Sequence, residues 1–434
     1  MTKKILLYGI NFSPELTGIG KYTGEMAAWL AARGHQVRVV TAPPYYPDWK
    51  VGAGFKNGYT VIASEARQST KSGSLVVYRC PLWVPPQPGG IKRLLHLASF
   101  ALTSLPVMLR QIIWRPDVVW VVEPALFCAP AAVVVARLSG ARAWLHVQDF
   151  EVDAAFDLGL LRGKFLRGLV TGAERWLMRR FDVVSTISKR MHQRLLDKGV
   201  APGRALMAVN WVDLAGFKAE GRGDPGGSGY RAELGIAPDA VVALYSGNMG
   251  GKQGLELLAE VAKVIAARAP LPQNTPVGGP PSGRLVFVFC GNGAGRADLV
   301  QRCQGLGNVQ FLDLQPAARL PDLLAMADIH LLPQRADAAD LVMPSKLTGM
   351  LASARPVVAT AHPGTELAHV VQACGVVVPP EDPQAFADAL LLLAADPDLR
   401  QRLGAAGFLY AQAHLDKEAV LARFEADLQG LVGR

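Results

Sequence analysis

Four glycine-bearing segments and one acidic strand end hold the residues whose types and spacing suit chemistry. In GINFSPELTGIGKYTGEMA (9–27), Gly18, Ile19 and Gly20 precede a helix expected from Lys21. Backbone N–H groups at such a helix start can face an anion such as a phosphate. Two sharper motifs fail here, because a P-loop needs glycine where Glu15 stands and Ser/Thr where Tyr22 stands, and a dinucleotide fingerprint needs glycine at Thr23. A tight turn entering a helix explains the same glycines without a ligand. SGNMGGKQGLE (246–256) repeats the strand, glycine loop and helix order with Gly247, Asn248 and Lys252. A cation at a helix start is unfavourable unless an anion is also present, so Lys252 reads as half of a diphosphate clamp or as a solvated lysine. CGNGAGR (290–296) brings Gly291 and Asn292 to a third strand end, where a base or ribose could approach closely. In MPSKLTGML (343–351), Ser345 is placed to cap a helix and Lys346 falls in its first turn. LHVQDFEVD (145–153) ends an apolar run with His146, Gln148, Asp149, Glu151 and Asp153. Such a cluster can supply an acid or base, or bond a sugar hydroxyl, but a histidine in an apolar strand is also a common satisfied core residue. No GxSxG elbow and no HExxH occurs.

These loops need strands to carry them. Apolar runs at 5–10, 37–42, 117–122, 141–148 and 182–188 alternate with helical patterns, and a second series follows at 240–247, 284–291, 308–313, 328–333, 355–360 and 375–380. Continuous apolar runs mark strands buried on both faces, hence parallel sheets covered by helices. The reading is two doubly wound α/β domains, divided at 205 (1–205 and 206–410), with a helix over 411–434 that can cross back to the first. Ligands of such folds sit at the carboxyl ends of the strands. Two Gly/Pro-rich stretches, 221–229 and 270–283, read as surface insertions.

The 434 residues are half hydrophobic and 19% charged, which excludes a disordered chain. The net charge of +9 hides an asymmetry: 27 Lys and Arg face 13 Asp and Glu up to residue 205, and 18 face 23 beyond it. Five scattered cysteines suggest neither a zinc site nor a disulfide framework and fit a reducing cytoplasm. The longest apolar stretch, Leu94–Leu109, falls short of a bilayer span, so no transmembrane segment is expected.

Taken in order, these motifs together with NWVD (210–213), ADIHLLP (327–333), PSK (344–346) and PGTELAHVVQACGVVVPPEDP (363–383) resemble the retaining glycosyltransferase family 4, with the GT-B fold of two Rossmann-like domains facing across a cleft. The opening, 9–47, is similar to the colanic-acid-type fucosyltransferases of exopolysaccharide synthesis. The resemblance implies a metal-independent transfer from a nucleotide-diphosphate sugar, bound by the second domain, to an acceptor on the first, with no further cofactor. It places Lys252 on the diphosphate, Asn248 beside it, Lys346 and Ser345 along the same phosphates, and Gly18–Gly20 over phosphate and sugar. His146 or Asp149 then meets the reacting sugar carbon. One departure stands out: the family's glutamate pair would fall at Leu341 and Gly349, with Asp337 and Asp340 the nearest acids.

The basic half points to a partner. Lys92, Arg93, Arg110 and Arg115 flank the 94–109 run without an acid between Gly89 and Pro116, and 162–194 interleaves basic residues with Phe165, Leu169 and Trp176. Such segments suit an anionic membrane surface. With no nucleic-acid-binding module present, the partners expected are the donor, a lipid-linked saccharide acceptor and the inner face of the cytoplasmic membrane. The oligomeric state is left open. Two other readings remain at this point: a nucleotide-sugar epimerase on a similar scaffold, and a non-catalytic membrane-surface protein, which Gly349 favours.

Overall fold

The structure is a computed structural model and describes residues 2–15, 18–68, 71–86, 89–123, 126–150, 152–153, 164–218, 228–250, 253–268, 285–336 and 344–433. The chain divides into two compact units, Met1–Val209 with Ala419–Arg434, and Asn210–Glu418.

The first unit is built on a sheet of order β3-β4-β2-β1-β5-β6-β7-β8. Its parallel core comprises β1 (Lys4–Tyr8), β2 (Gln36–Thr41), β5 (Val118–Glu123), β6 (Arg142–Val147) and β7 (Val183–Thr186). These are the apolar runs of the sequence, and β5 is buried at every position, as expected of a strand covered on both faces. Two elements were not anticipated. β3 (Thr60–Gln68) and β4 (Lys71–Arg79) form an antiparallel hairpin at the sheet edge, where β3 alternates polar residues in place of a continuous apolar run. β8 (Ala205–Met207) pairs with β7, so the first sheet runs past the expected boundary at 205.

Helix α1 (Gly18–Ala32) starts at Gly18 and not at Lys21, so the three residues Gly18, Ile19 and Gly20 form its first turn. The 25-residue α2 (Gly90–Trp114) extends well beyond the apolar run read from sequence, and by length and composition it passes the test for a bilayer span. It packs beside α3 (Ala129–Ser139). The C-terminal segment is two helices, Pro397–His414 and Lys417–Val432. The second returns to the first unit. Phe424 packs against Trp120 and Trp144, and the Glu425 carboxylate accepts hydrogen bonds from Arg33 Nε (3.0 Å) and pairs with His35 Nε2 (2.9 Å). Burial works to raise the Glu425 pKa, but the contacts with His35 and Arg33 outweigh it and hold the carboxyl below its ordinary value.

The second unit carries a wholly parallel sheet built from β9 (Val241–Ser246), β10 (Leu285–Cys290), β11 (Val309–Leu312), β12 (Ile329–Leu332), β13 (Val357–Thr360) and β14 (Gly375–Val378), in the order β11-β10-β9-β12-β13-β14. Phe287 and Phe289 anchor a core between this sheet and the helices Glu256–Arg268 and Pro383–Ala395. The Gly/Pro-rich stretches 221–229 and 270–283 lie almost wholly outside the described residues.

Candidate active site

In the second unit, the loops after β9 and β10 are stitched together. The register pairs Ser246 with Cys290, so both strands end at the same level and hand over to Gly247 and Gly291. Gly247 N donates to the Cys290 carbonyl (3.0 Å), Met249 N to that of Asn292 (2.9 Å) and Gly295 N to that of Met249 (2.8 Å). Gly291 has φ +151, and a Cβ there would stand 1.9 Å from the Gly247 carbonyl oxygen. A Cβ on Gly293 would fall 2.6 Å from the Met249 oxygen and 2.7 Å from Asn248 Oδ1. Glycine is required because two backbones meet here, which keeps both loops low against the strand ends.

Lys346 lies over this platform. It opens the short helix Lys346–Ala352, and its Cδ and Cε would sit 3.4 Å from a Cβ on Gly247. Its ammonium donates to the Tyr245 hydroxyl oxygen (2.5 Å) and stands 4.2 Å from that ring's centroid. The fully buried Tyr245 in turn donates its hydroxyl proton to the Asn248 carbonyl (2.6 Å). Desolvation pushes the Lys346 pKa down to about 7, and no described carboxylate offsets it. A half-buried ammonium whose described acceptor is neutral, set beside a glycine loop, attracts an anion, which would restore its charge. Sequence reading missed Tyr245, because 101 residues separate it from Lys346. Tyr245→Phe should therefore weaken anion binding beside the Gly247 loop about five- to tenfold, since the Lys346 ammonium and the Asn248 carbonyl each lose a hydrogen bond. Calorimetric titration of the variant checks it, and unchanged affinity would deny the tyrosine a positioning role.

One expectation is corrected here. Ser345 does stand at the N-cap position, but in helical backbone geometry and without a side-chain cap hydrogen bond, so its exposed hydroxyl does not close the helix. Lys252 lies outside the described residues, and the described α-helix that follows it is Glu256–Arg268. Leu341, Asp337 and Asp340 are also outside the described residues, whereas Gly349 sits within Lys346–Ala352 with a Cβ position 3.0 Å from Leu324 Cδ1.

In the first unit, His146 and Asp149 leave β6 in different circumstances. His146 is buried and stacks on Trp120 with ring centroids 5.2 Å apart. Its Nδ1 lies 2.9 Å from Ser185 Oγ, which also accepts from Trp144 Nε1 (2.8 Å), and the Gln148 amide is 3.0 Å from Nε2. Burial lowers its pKa to about 3, so the ring is neutral at working pH and both nitrogens are engaged. Asp149 is half-buried and makes no hydrogen bond or ion pair with a described residue. Asp153 is taken up structurally, 3.1 Å from Lys198 Nζ, which also contacts the buried Glu174. Glu151 lies outside the described residues.

Gly20 serves packing. A Cβ there would fall 2.6 Å from Oε2 of Glu15, a buried carboxylate that accepts from Asn11 Nδ2 (2.9 Å) and from the backbone N–H groups of Tyr45 and Tyr46 (3.2 Å each). Burial raises the Glu15 pKa despite these donors. Gly18 has φ +59 with nothing near its Cβ position. Among the described residues no group of three or more His, Cys, Asp or Glu is arranged to hold a metal ion.

Two Rossmann-like units with glycine loops and an anion-seeking lysine at the strand ends of the second define a class, and comparison with known proteins agrees. Over 99% of both chains the fold matches sucrose-phosphate synthase from Thermosynechococcus elongatus, with a TM-score of 0.72 at 17% identity. It also matches Anabaena Alr3699/HepE, solved in complex with UDP and glucose, over 98% of this chain and 100% of that one, with a TM-score of 0.66 at 14% identity. The architecture is GT-B and the protein is a glycosyltransferase. Residues 17–211 match the glycosyl transferase 4-like domain and residues 240–396 match the glycosyl transferases group 1 domain. A putative colanic acid biosynthesis glycosyl transferase, WcaI of Escherichia coli (strain K12), is 43% identical over 439 residues, covering 98% of this chain and 100% of that protein. The chain belongs to the glycosyltransferase 4-like family.

Proposed function

We propose that the chain is a retaining, metal-independent glycosyltransferase that moves a sugar from a nucleotide-diphosphate donor to a lipid-linked saccharide in exopolysaccharide synthesis of the colanic acid type. The observation that carries this is the ammonium of Lys346, desolvated against the Gly247 loop with only neutral partners among the described residues. The departing nucleotide gains negative charge on its diphosphate as the glycosidic bond breaks. A lysine that regains its full charge next to that group stabilises the transition state more than the ground state, the service a divalent cation performs elsewhere. The named role of the Escherichia coli relative supports the pathway class.

Within this reading, Lys346, the backbone of Gly247 and Gly291, and the side chains of Asn248 and Asn292 belong to the donor site, with Lys252 and Ser345 as further phosphate contacts. Asp149, just past the end of β6 and without a hydrogen bond or ion pair among the described residues, is the acid for the sugar, and His146 is its neutral neighbour in the strand. Gly349 leaves the nucleotide's ribose to another group. Fucose from GDP-fucose is the donor that the opening motif favours, and no cofactor beyond the donor is required. The enzyme acts in the cytoplasm, peripheral to the inner face of the membrane.

A thermal-shift screen of GDP-, UDP- and dTDP-sugars on the full chain tests the reading. A donor at about one hundred times its Kd should add about 2.7 kcal/mol to the stability of the unit that binds it. No shift with any of them would sink it.

A further inference from the structure

We propose that the outward face of α2 is a membrane-insertion surface that seats the first unit on an anionic bilayer, with the helix lying in the plane of the interface. The inference rests on the lipid-linked acceptor reading, which gives the surface its purpose, and it names a face that the reading leaves unspecified. Ile91, Leu95, Leu102, Leu105, Leu109 and Ile113 are all exposed, Ile113 at 85%, Leu102 at 71% and Ile91 at 70%. At about 100° per residue these six positions fall within an arc of roughly 80°. The helix is about 37 Å long at 1.5 Å per residue, so the stripe is continuous over a length that single surface leucines never make.

The opposite face fixes the orientation. His96, Phe100, Ser104, Met108 and Gln111 are buried. Ser104 Oγ lies 2.6 Å from the Tyr8 hydroxyl, Arg38 donates to Gln111 Oε1 (2.9 Å), and His96 Nδ1 is 2.6 Å from the Trp83 carbonyl. A helix tied to its unit by these polar contacts cannot cross a bilayer without breaking them, although its composition alone would permit a span. It can lie half-sunk, with the unit behind it and acyl chains in front.

Charge selects the occupant. Lys92 and Arg110 are exposed and share one flank of the stripe, about 100° from Ile91. Arg115 is exposed at the helix end, and no acid occurs from Gly89 to Pro116. Anionic headgroups complement this rim. A second copy in a two-fold interface would set the same cations against each other with no carboxylate between them, which costs stability. Tyr59 widens the face: it is exposed, and its hydroxyl donates to the Thr103 carbonyl (2.8 Å), an aromatic with one polar end as interfaces favour.

The test is sedimentation of the full chain with vesicles of phosphatidylcholine, with and without phosphatidylglycerol. The parent should pellet with the phosphatidylglycerol vesicles, and Leu102→Glu/Leu109→Glu should lower its partition more than about tenfold. Lys92→Glu/Arg110→Glu, which leaves the apolar packing untouched, should remove the preference for the anionic vesicles. A parent that stays in the supernatant overturns the proposal. So does equal pelleting of parent and both variants, or a parent dimer that the leucine variant dissolves while neither binds vesicles. Donor-induced thermal shifts on the same samples separate the two readings. Pelleting without any donor shift would leave the surface standing and remove the proposed donor site, and a donor shift without pelleting would do the reverse.

Discussion

Lys346→Met is expected to lower turnover by about a hundred- to a thousandfold while the fold persists. That is the scale seen when a preorganised group facing transition-state charge is removed, and methionine keeps the stem that passes Gly247. The lowered pKa adds a pH signature with a definite sign. In the unfolded chain the lysine holds its proton to its ordinary value of 10.5, whereas in the unliganded folded chain it releases it at about 7. Between those values the unfolded state binds more protons, so this group's contribution to stability rises with pH across that window. The charged form is the costly one, and the loss is complete below about pH 7. Lys346→Met should flatten that rise and stabilise the unliganded chain at neutral pH, even as activity disappears. Donor binding should take up a proton above pH 7, because the diphosphate restores the ammonium, and donor affinity should fall as pH rises further. Calorimetry in buffers of different ionisation enthalpy measures the uptake. Wild-type turnover in the variant, or donor binding without proton uptake, would remove Lys346 from the phosphates.

Gly291→Ala is expected to destabilise the second unit by about 3 kcal/mol or more, read as a lowered calorimetric transition, and to abolish the donor-induced shift. Two costs combine. A backbone at φ +151 is one that side chains rarely adopt, and the added carbon would meet the Gly247 carbonyl oxygen at 1.9 Å, which forces β9 and β10 apart where Gly247 N donates to Cys290. Gly364→Ala is the control, because Gly364 has φ +80 but nothing within 4 Å of its Cβ position, so it should cost only about 1–2 kcal/mol. Equal losses at the two positions would mean that the loop-to-loop contact contributes nothing.

Legibility of the fold followed burial. β5, β9 and β10 stand out in the sequence because strands covered on both faces must be apolar throughout. The β3–β4 hairpin does not, because an edge strand carries polar residues that read as loop. The site divided in the same way. Gly247, Gly291 and Lys346 could be named as candidates because strand-to-glycine transitions are local. Tyr245 as the partner of Lys346, and Glu15 beneath Gly20, could not, since each depends on segments brought together by the fold. Ser185 and Gln148 on the ring nitrogens of His146 are likewise contacts that no local pattern records.

Basic and apolar residues that the sequence interleaves are sorted by the fold too. The segment 162–194 interleaves basic and apolar residues, yet in the helix Lys164–Met178 Glu174 is buried with Lys198, and the Arg180 guanidinium lies 4.4 Å over the exposed Trp176 ring. The continuous apolar stripe belongs to α2. By itself the sequence determined that two parallel α/β units carry glycine loops at their strand ends and that the basic charge lies in the first, because composition and backbone preference act over a few residues. Only the tertiary structure decided which lysine is desolvated, which histidine is already satisfied and which side of α2 stays outside the core. Those depend on sheet register and packing between residues far apart in the chain, where no local period records the outcome.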